Sequence, residues 1–496
     1  MNRLYFASII CMMCMLPIHA QDKDTKTNNY VTAMRAFYLW RCGMPVHTDH
    51  EGNHYFNEAC HTEDGCTDYI LPELSTGNTV ARFVDGTGGW HDAGDFGKYT
   101  VNAGVTLGTL FYAWNHFSDK LRSIPLDLPE TAPGYPEFLK ELKWETDFIL
   151  KMQYPDGSGR VSHKLTRKAF SGFIMPSKDK ETRYYTTWSS AATADFVAMM
   201  SMASRHFKPY DKVYSKKCLK AAKVSWQFLV EHPENKGFVQ GDFSTGSYMT
   251  GDDDDRLWAA AELWETTGDK DILAYLEQRI GNMVEAVRRG SNGNNAPKTG
   301  SGMPDVTLPF FGMRRARPLI DSGWDWGNVT NLGMWTYVLS NRKGRNPELV
   351  AEVKQAVAAN AKSIADQVAS DEYGCPITSF YWGCNGTAAR LSVNLHVAEM
   401  FNPEVSYKTT IERIARWILG NNYYHRSFVT GLGINPPMHP HDRRSAADGI
   451  EAPWPGYLVG GGHTATDWVD DQEDYSRNEI AINWQAGLVY LLAAVL

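Results

Sequence analysis

Gly88-Gly89-Trp90-His91-Asp92-Ala93-Gly94-Asp95 sets two carboxylates on one glycine-loosened turn, beside an indole and an imidazole. Far along the chain, Asp474-Tyr475-Ser476-Arg477-Asn478-Glu479 brings a third acid to what reads as the mouth of a helix. Acid–base hydrolysis needs one carboxylate to deprotonate a water and another to protonate a departing oxygen. Asp92 and Asp95 can converge on one water, one taking its proton and the other orienting it. Aspartates ahead of a helix are also common caps or calcium ligands, so Glu479 is what tips the reading toward catalysis. Glu479 carries a tension, because a helix N-terminus favours the ionised carboxylate whereas a general acid must keep its proton. A like charge (Asp470, or the Asp92/Asp95 pair) or an apolar wall such as Trp484 would raise its pKa.

Three further constellations carry possible chemistry. His439-Pro440-His441-Asp442-Arg443 follows a loop stiffened by Pro436-Pro437. A metal-binding His-x-His would close the first strand of an α/β barrel, which nothing here indicates, so His441 and Arg443 read as donors to sugar hydroxyls. Cys42, Cys60-His61 and His91 form a Cys₂His₂ set suited to a closed tetrahedral zinc site. Their spacing is not that of a zinc finger, and on spacing alone a Cys42–Cys60 disulfide is the safer reading. Thr250-Gly251-Asp252-Asp253-Asp254-Asp255 is an acidic run at a helix start, open between solvated charge and a calcium loop.

Residues 1–20, with Arg3, an apolar stretch from Ile9 to Leu16 and a small residue at Ala20, read as a secretory signal peptide. Residues 21–29 read as a short leader, and no later segment is apolar enough to span a bilayer. The mature chain is expected to be a monomer, secreted or periplasmic. Cys11 and Cys14 fall within the signal, leaving Cys42, Cys60, Cys66, Cys218, Cys375 and Cys384, which an exported protein would usually pair. Cys375 and Cys384 flank Tyr381-Trp382-Gly383 and could bridge. A net charge of −8 without a basic stripe argues against nucleic acid as a partner. The 16 Trp and 24 Tyr supply faces on which sugar rings can stack, although most should be core.

From about Phe96 the pattern is helical, in about eleven segments without alternating strands, which disfavours an α/β barrel. Asn346-Pro347 and Asn402-Pro403 each read as a cap followed by a first-turn proline. Lys26–Gly89 reads as irregular wrapping. The long connections Lys236–Asp253, Gly290–Gly327 and Asn421–Asn478 hold most of the Gly, Pro, Trp and His, so the site is expected on them. An all-α toroid of helical hairpins with a cleft at one end fits, as one domain over 30–496.

Together these motifs resemble glycoside hydrolase family 9, the inverting cellulases, from about Tyr30 to Leu496. The carrying residues are Gly89–Asp95, Gly431–Arg443, and Trp468-x-Asp470 through Tyr475 to Asn478-Glu479-Ile480-Ala481. Lesser similarities are Ser189–Ala194 and Val161-Ser162-His163-Lys164. The resemblance implies an (α/α)₆ barrel and an endo-acting β-1,4-glucanase on β-glucan chains, the alternative being an exo-acting member whose cleft an extra loop such as Gly290–Gly327 closes. It implies Asp95 as base, Asp92 as its partner on the water and Glu479 as acid. His441, Arg443 and His163 would contact glucosyl residues, with Trp484 and Trp90 as aromatic contacts. It further implies zinc on Cys42, Cys60, His61 and His91, reversing the disulfide reading, and calcium at Thr250, Gly251, Asp254 and Asp255. The chain looks most like the bacterial, zinc-containing subgroup of the family, but the immunoglobulin-like domain that usually precedes that subgroup's barrel is not expected here, nor a carbohydrate-binding module.

Overall fold

A computed structural model describes residues 23–70, 83–129, 133–292 and 318–496; the signal reading and most of the Gly290–Gly327 loop lie outside them. Helices dominate, in the order α1 (Lys23–Leu39), α2 (Thr100–Leu121), α3 (Glu137–Met152), α4 (Ser190–Phe207), α5 (Lys212–Glu231), α6 (Asp253–Thr267), α7 (Lys270–Asn292), α8 (Thr330–Leu339), α9 (Pro347–Ser370), α10 (Cys384–Phe401), α11 (Lys408–Ile418), the single turn α12 (Tyr475–Asn478) and α13 (Ile482–Val495). They build an (α/α)₆ barrel. Helices α2, α4, α6, α8, α10 and α13 are buried on nearly every side, as their all-round small and apolar residues require. The alternate helices bury one stripe each: α9 turns in Val353, Val357, Ala361, Ile364 and Val368, at the i, i+4 spacing of a helix face. Strands are short: β1 (Val46–His50) pairs with β2 (Asn53–Asn57), and β3 (Lys98–Tyr99), β4 (Lys164–Thr166) and β5 (Tyr184–Tyr185) form an antiparallel sheet in that order.

Local signals were obeyed unevenly. Asn346 caps α9 by accepting the Glu348 and Leu349 N–H groups, with Pro347 in the first turn. Gly268, at φ +72°, ends α6 by giving its N–H to Trp264 O. Asn402-Pro403 does not start α11: Asn402 is the C-cap of α10, and the next helix waits until Lys408. The segment read as irregular wrapping opens with α1, which begins at Lys23 inside the expected leader and packs Tyr30, Ala33, Met34 and Phe37 into the core. Glu479 is not at a helix N-terminus either. It is extended, at φ −69° and ψ 158°, one residue past α12 and three before α13. The tension between helix dipole and protonated acid is thereby removed.

Candidate active site

The two acidic motifs are joined by main chain. Ala93 and Ala481 form an antiparallel bridge, and Ile482 N–H donates to Asp92 O at 2.8 Å. Glu479 lies in a parallel bridge with His441, whose N–H donates to Asn478 O at 2.8 Å. Arg443 closes the third side: its backbone N–H and Nη1 both donate to Gly94 O, at 3.3 and 2.7 Å, and its Nε donates to Ser171 O at 3.1 Å. Residue 94 must be glycine, because a Cβ there would lie 2.1 Å from His441 O. Base turn, donor loop and acid strand therefore move as one body.

Within this clasp the carboxylates are differently held. Asp95 Oδ2 accepts the Gly97 N–H at 2.8 Å and the Tyr99 O–H at 2.9 Å. Asp92 is fully buried; Oδ1 accepts from Asn102 Nδ2 at 2.7 Å and Oδ2 from Tyr248 O–H at 2.6 Å. Burial first, then the Asp95 charge, pushes the Asp92 carboxyl up to about 8. Glu479 is raised well above the usual carboxyl range by desolvation, then by Asp95 and Asp92, against the pull of Arg443 and the Trp382 indole. A carboxyl kept protonated near neutrality beside two others is what a general acid needs. Asp470, proposed above as a like-charge neighbour, does a different job. It accepts from Arg426 Nη2, the Met438 and His439 N–H groups and Asn478 Nδ2, knotting the loop behind the acid.

Several expected substrate contacts sit elsewhere. Trp90 is 1% exposed, with its indole N–H given to Glu141 Oε1 at 2.8 Å and its backbone N–H to Glu145. It is core, and offers no face to a ligand. His163 is buried, stacked on Phe238 at 4.1 Å, with Nδ1 on Ser189 Oγ and Nε2 on Ser247 O, so both ring nitrogens are spent inside the protein. Trp484 is clamped by glycine backbones: a Cβ on Gly383 or Gly386 would come within 2.5 Å of its ring. It packs against the 382–386 turn and is 7% exposed. Arg443 is mainly committed to the carbonyls named above. His441 stays half-buried, holding Gln472 O at 2.7 Å through Nδ1. The aromatic groups that do border the acid were not singled out from sequence: exposed Trp382 and Tyr475 meet edge to face at 5.2 Å, and Phe173 lies 5.3 Å from His441. Tyr248, Tyr99 and Asn102 were missed too, because nothing in their local spacing ties them to a carboxylate.

Cys42, Cys60, His61 and His91 are all buried, with donor atoms within 4.8 Å of one another. Tetrahedral zinc with Zn–S near 2.3 Å and Zn–N near 2.05 Å implies S···N edges of about 3.6 Å and an N···N edge of about 3.4 Å. The structure has Cys42 Sγ to His61 Nδ1 at 3.7 Å, Cys60 Sγ to His91 Nε2 at 3.8 Å, and His91 Nε2 to His61 Nδ1 at 3.2 Å. The quartet fits. His61 Nε2 is backed by Asp179 at 3.5 Å, and Lys98 Nζ lies 3.7 Å from Cys42 Sγ. Burial raises the Cys42 thiol, but Cys60, Lys98 and the two imidazoles overcome it and hold it well below its ordinary value. His91 is one of the four and directly precedes Asp92, so whatever holds the quartet also holds the Asp92–Asp95 turn. No disulfide joins any of the six described cysteines, so neither the Cys42–Cys60 nor the Cys375–Cys384 bridge forms.

In the acidic run the aspartates have different neighbours. Asp252 pairs with Arg256 at 2.6 Å, Asp253 faces Arg279, and Asp254 Oδ2 accepts the Val329 N–H at 2.8 Å. Asp255 is fully buried against Asp195. Among the described residues the Cys₂His₂ quartet is the one group of three or more His, Cys, Asp or Glu donors close enough to hold a metal. The clasp itself is testable. Gly94→Ala should abolish at least 99% of activity, and it should destabilise the fold by roughly 1–3 kcal/mol, the usual cost of overpacking. Wild-type turnover with an unchanged denaturation midpoint would show that the two segments need not touch.

A profile described as Glycosyl hydrolase family 9 matches residues 28–492. The chain is 48% identical over 467 residues to Endoglucanase D of Acetivibrio thermocellus, covering 94% of this chain and 68% of that one. It is 31% identical to a xyloglucan-specific endo-beta-1,4-glucanase of Bacteroides ovatus, covering 93% and 77%. Among solved structures, a Zn-binding triple mutant of the GH family 9 endoglucanase J30 superposes with a TM-score of 0.79 at 28% identity, over 94% of this chain and 84% of that one. The chain belongs to glycosyl hydrolase family 9.

Proposed function

We propose that the protein is an endo-acting β-1,4-glucanase that hydrolyses β-glucan chains with inversion. The observation carrying this reading is the clasp, which brings the Asp92 and Asp95 carboxyls against a third, Glu479, that burial and these neighbours raise well above the usual carboxyl range. Asp95 takes a proton from water, Asp92 orients that water, and the water attacks the anomeric carbon. Glu479 gives its proton to the glycosidic oxygen as the C–O bond breaks. Tyr248 and Asn102 fix both oxygens of Asp92 throughout. Trp382 and Tyr475 give sugar rings an apolar face beside the acid. The family relatives that carry endoglucanase names favour internal cleavage over release from chain ends.

The Cys₂His₂ quartet is proposed to hold zinc as a closed structural site; four protein ligands leave no position for substrate. When bound, the ion supplies rigidity and charge balance for two thiolates, and every proton in the reaction is moved by the carboxylates. The N-terminal apolar segment supports export, and no helix among the described residues is long and apolar enough to cross a membrane.

Asp95→Asn and Glu479→Gln should each lower kcat on barley glucan or carboxymethylcellulose by roughly 10³-fold or more, with thermal unfolding unchanged. Wild-type rates in either would overturn the roles given. On the same substrates viscosity should fall well ahead of reducing-end release; parallel courses would favour the exo alternative. Elemental analysis of protein purified without chelator should find about one zinc per chain, and stripping it should lower the unfolding midpoint. Less than about 0.2 equivalents would refute the metal site.

A further inference from the structure

Lys164 is a buried lysine whose charge the fold leaves without a carboxylate. It stands on β4, next to His163, with no exposed surface. Its Nζ donates to Gln240 Oε1 at 2.9 Å, Thr245 O at 3.3 Å, Thr245 Oγ1 at 3.2 Å and Gly246 O at 2.8 Å. Among the described residues every one of these acceptors is neutral. Three rings surround the ammonium, those of Phe238, Phe243 and Tyr99, at 5.1, 5.4 and 5.8 Å. A buried cation with only neutral partners is costly to fold around, and a methionine of similar length would fill the same space.

The surroundings say which charge it answers. Thr245, which Lys164 holds, lines a small cavity with Asp95. Two other cations line that cavity, and both are spoken for: Arg167 pairs with Asp179 at 2.8 Å and Arg183 with Asp64 at 2.9 Å. Arg443 serves the Gly94 and Ser171 carbonyls and acts on Glu479. Tyr99, whose face Lys164 covers, donates its O–H to Asp95 Oδ2. The carboxyl groups facing Asp95 across the site are Asp92 and Glu479, both of them raised by burial and by their acidic neighbours. Burial lowers Lys164 to about 7, and the charge that pulls it back up is Asp95.

We propose that Lys164 is the interior counter-charge of the Asp95 carboxylate: a positioning residue that keeps the base ionised from beneath, without touching substrate. The inference rests on reading Asp95 as the base. A loop anchor alone would be a different role, since the Gln240–Gly246 segment that Lys164 pins leads into Tyr248, which holds Asp92.

Two variants separate charge from anchoring. Lys164→Gln keeps amide donors for the loop, Lys164→Met keeps none, and both remove the cation. The pH profile of kcat/KM on a soluble β-glucan is measured for each, with Asp95→Asn alongside. A cation favours the ionised carboxylate, so its loss makes that form harder to reach and moves the acid limb to higher pH. Both variants should shift the limb upward alike, by roughly half to one pH unit. On the limb, kcat/KM should fall roughly 3- to 10-fold, and on the plateau both rate and KM should stay within about twofold. A limb unmoved in Lys164→Gln, with only Lys164→Met impaired, makes the lysine a loop anchor and overturns the proposal. Failure of both variants to unfold cooperatively assigns it to the fold and does the same. An active Asp95→Asn would overturn the base assignment itself, whereas an inactive one with unmoved limbs in the lysine variants removes the role of Lys164 alone.

Discussion

Main-chain hydrogen bonds between residues 92–94 and residues 441–443 and 478–482 are the constraint on which the site depends. The three segments come from opposite ends of the chain and meet at the mouth of the barrel. Side-chain contacts alone could place two carboxyl groups near each other. Ladder bonds fix their directions as well, because each bridge sets the orientation of the residues on both strands. The barrel contributes by making α2 and α13 neighbours in its inner ring, so the turn before α2 and the strand before α13 emerge side by side.

That geometry has an electrostatic cost, and the cost is useful. Bringing three carboxyl groups together in partly dry surroundings disfavours ionising them all at once. The molecule resolves this by environment. Asp95 receives two donors on one oxygen, Asp92 one donor on each oxygen, and Glu479 is raised by burial and by its two acidic neighbours more than Arg443 and Trp382 lower it. Different surroundings thus set three carboxyl groups apart, as the proposed base, orienting group and acid require. The Cys₂His₂ quartet is joined to the same turn, since His91 belongs to both.

Much of this was legible in the residues. Helical periodicity and glycine stops gave the toroid, and the Asp92, Asp95 and Glu479 motifs are short, local and unusual enough to stand out. What escaped was long-range. Tyr248 and Asn102 touch Asp92 only because the fold brings their loop and helix there. Trp90, Trp484 and His163 sit in or near the right motifs yet face inward, because a pattern in sequence does not say which way a ring turns. The Asn402-Pro403 pair shows the same limit: a good local cap signal was overridden by a tertiary choice to end one helix there rather than to begin the next. Burial also shaped the acidic run, where Asp252, Asp253 and Asp254 each contact a different group and Asp255 packs against Asp195.

The central claim is that a water is activated on the Asp95 side while Glu479 protonates the opposite face of the same bond. Proton NMR of the first turnovers on a soluble β-1,4-glucan oligomer tests it directly, because the anomer formed is recorded before mutarotation erases it. The account predicts the α-anomer as initial product. An initial β-anomer would mean that a carboxylate attacks the sugar itself, and would contradict it.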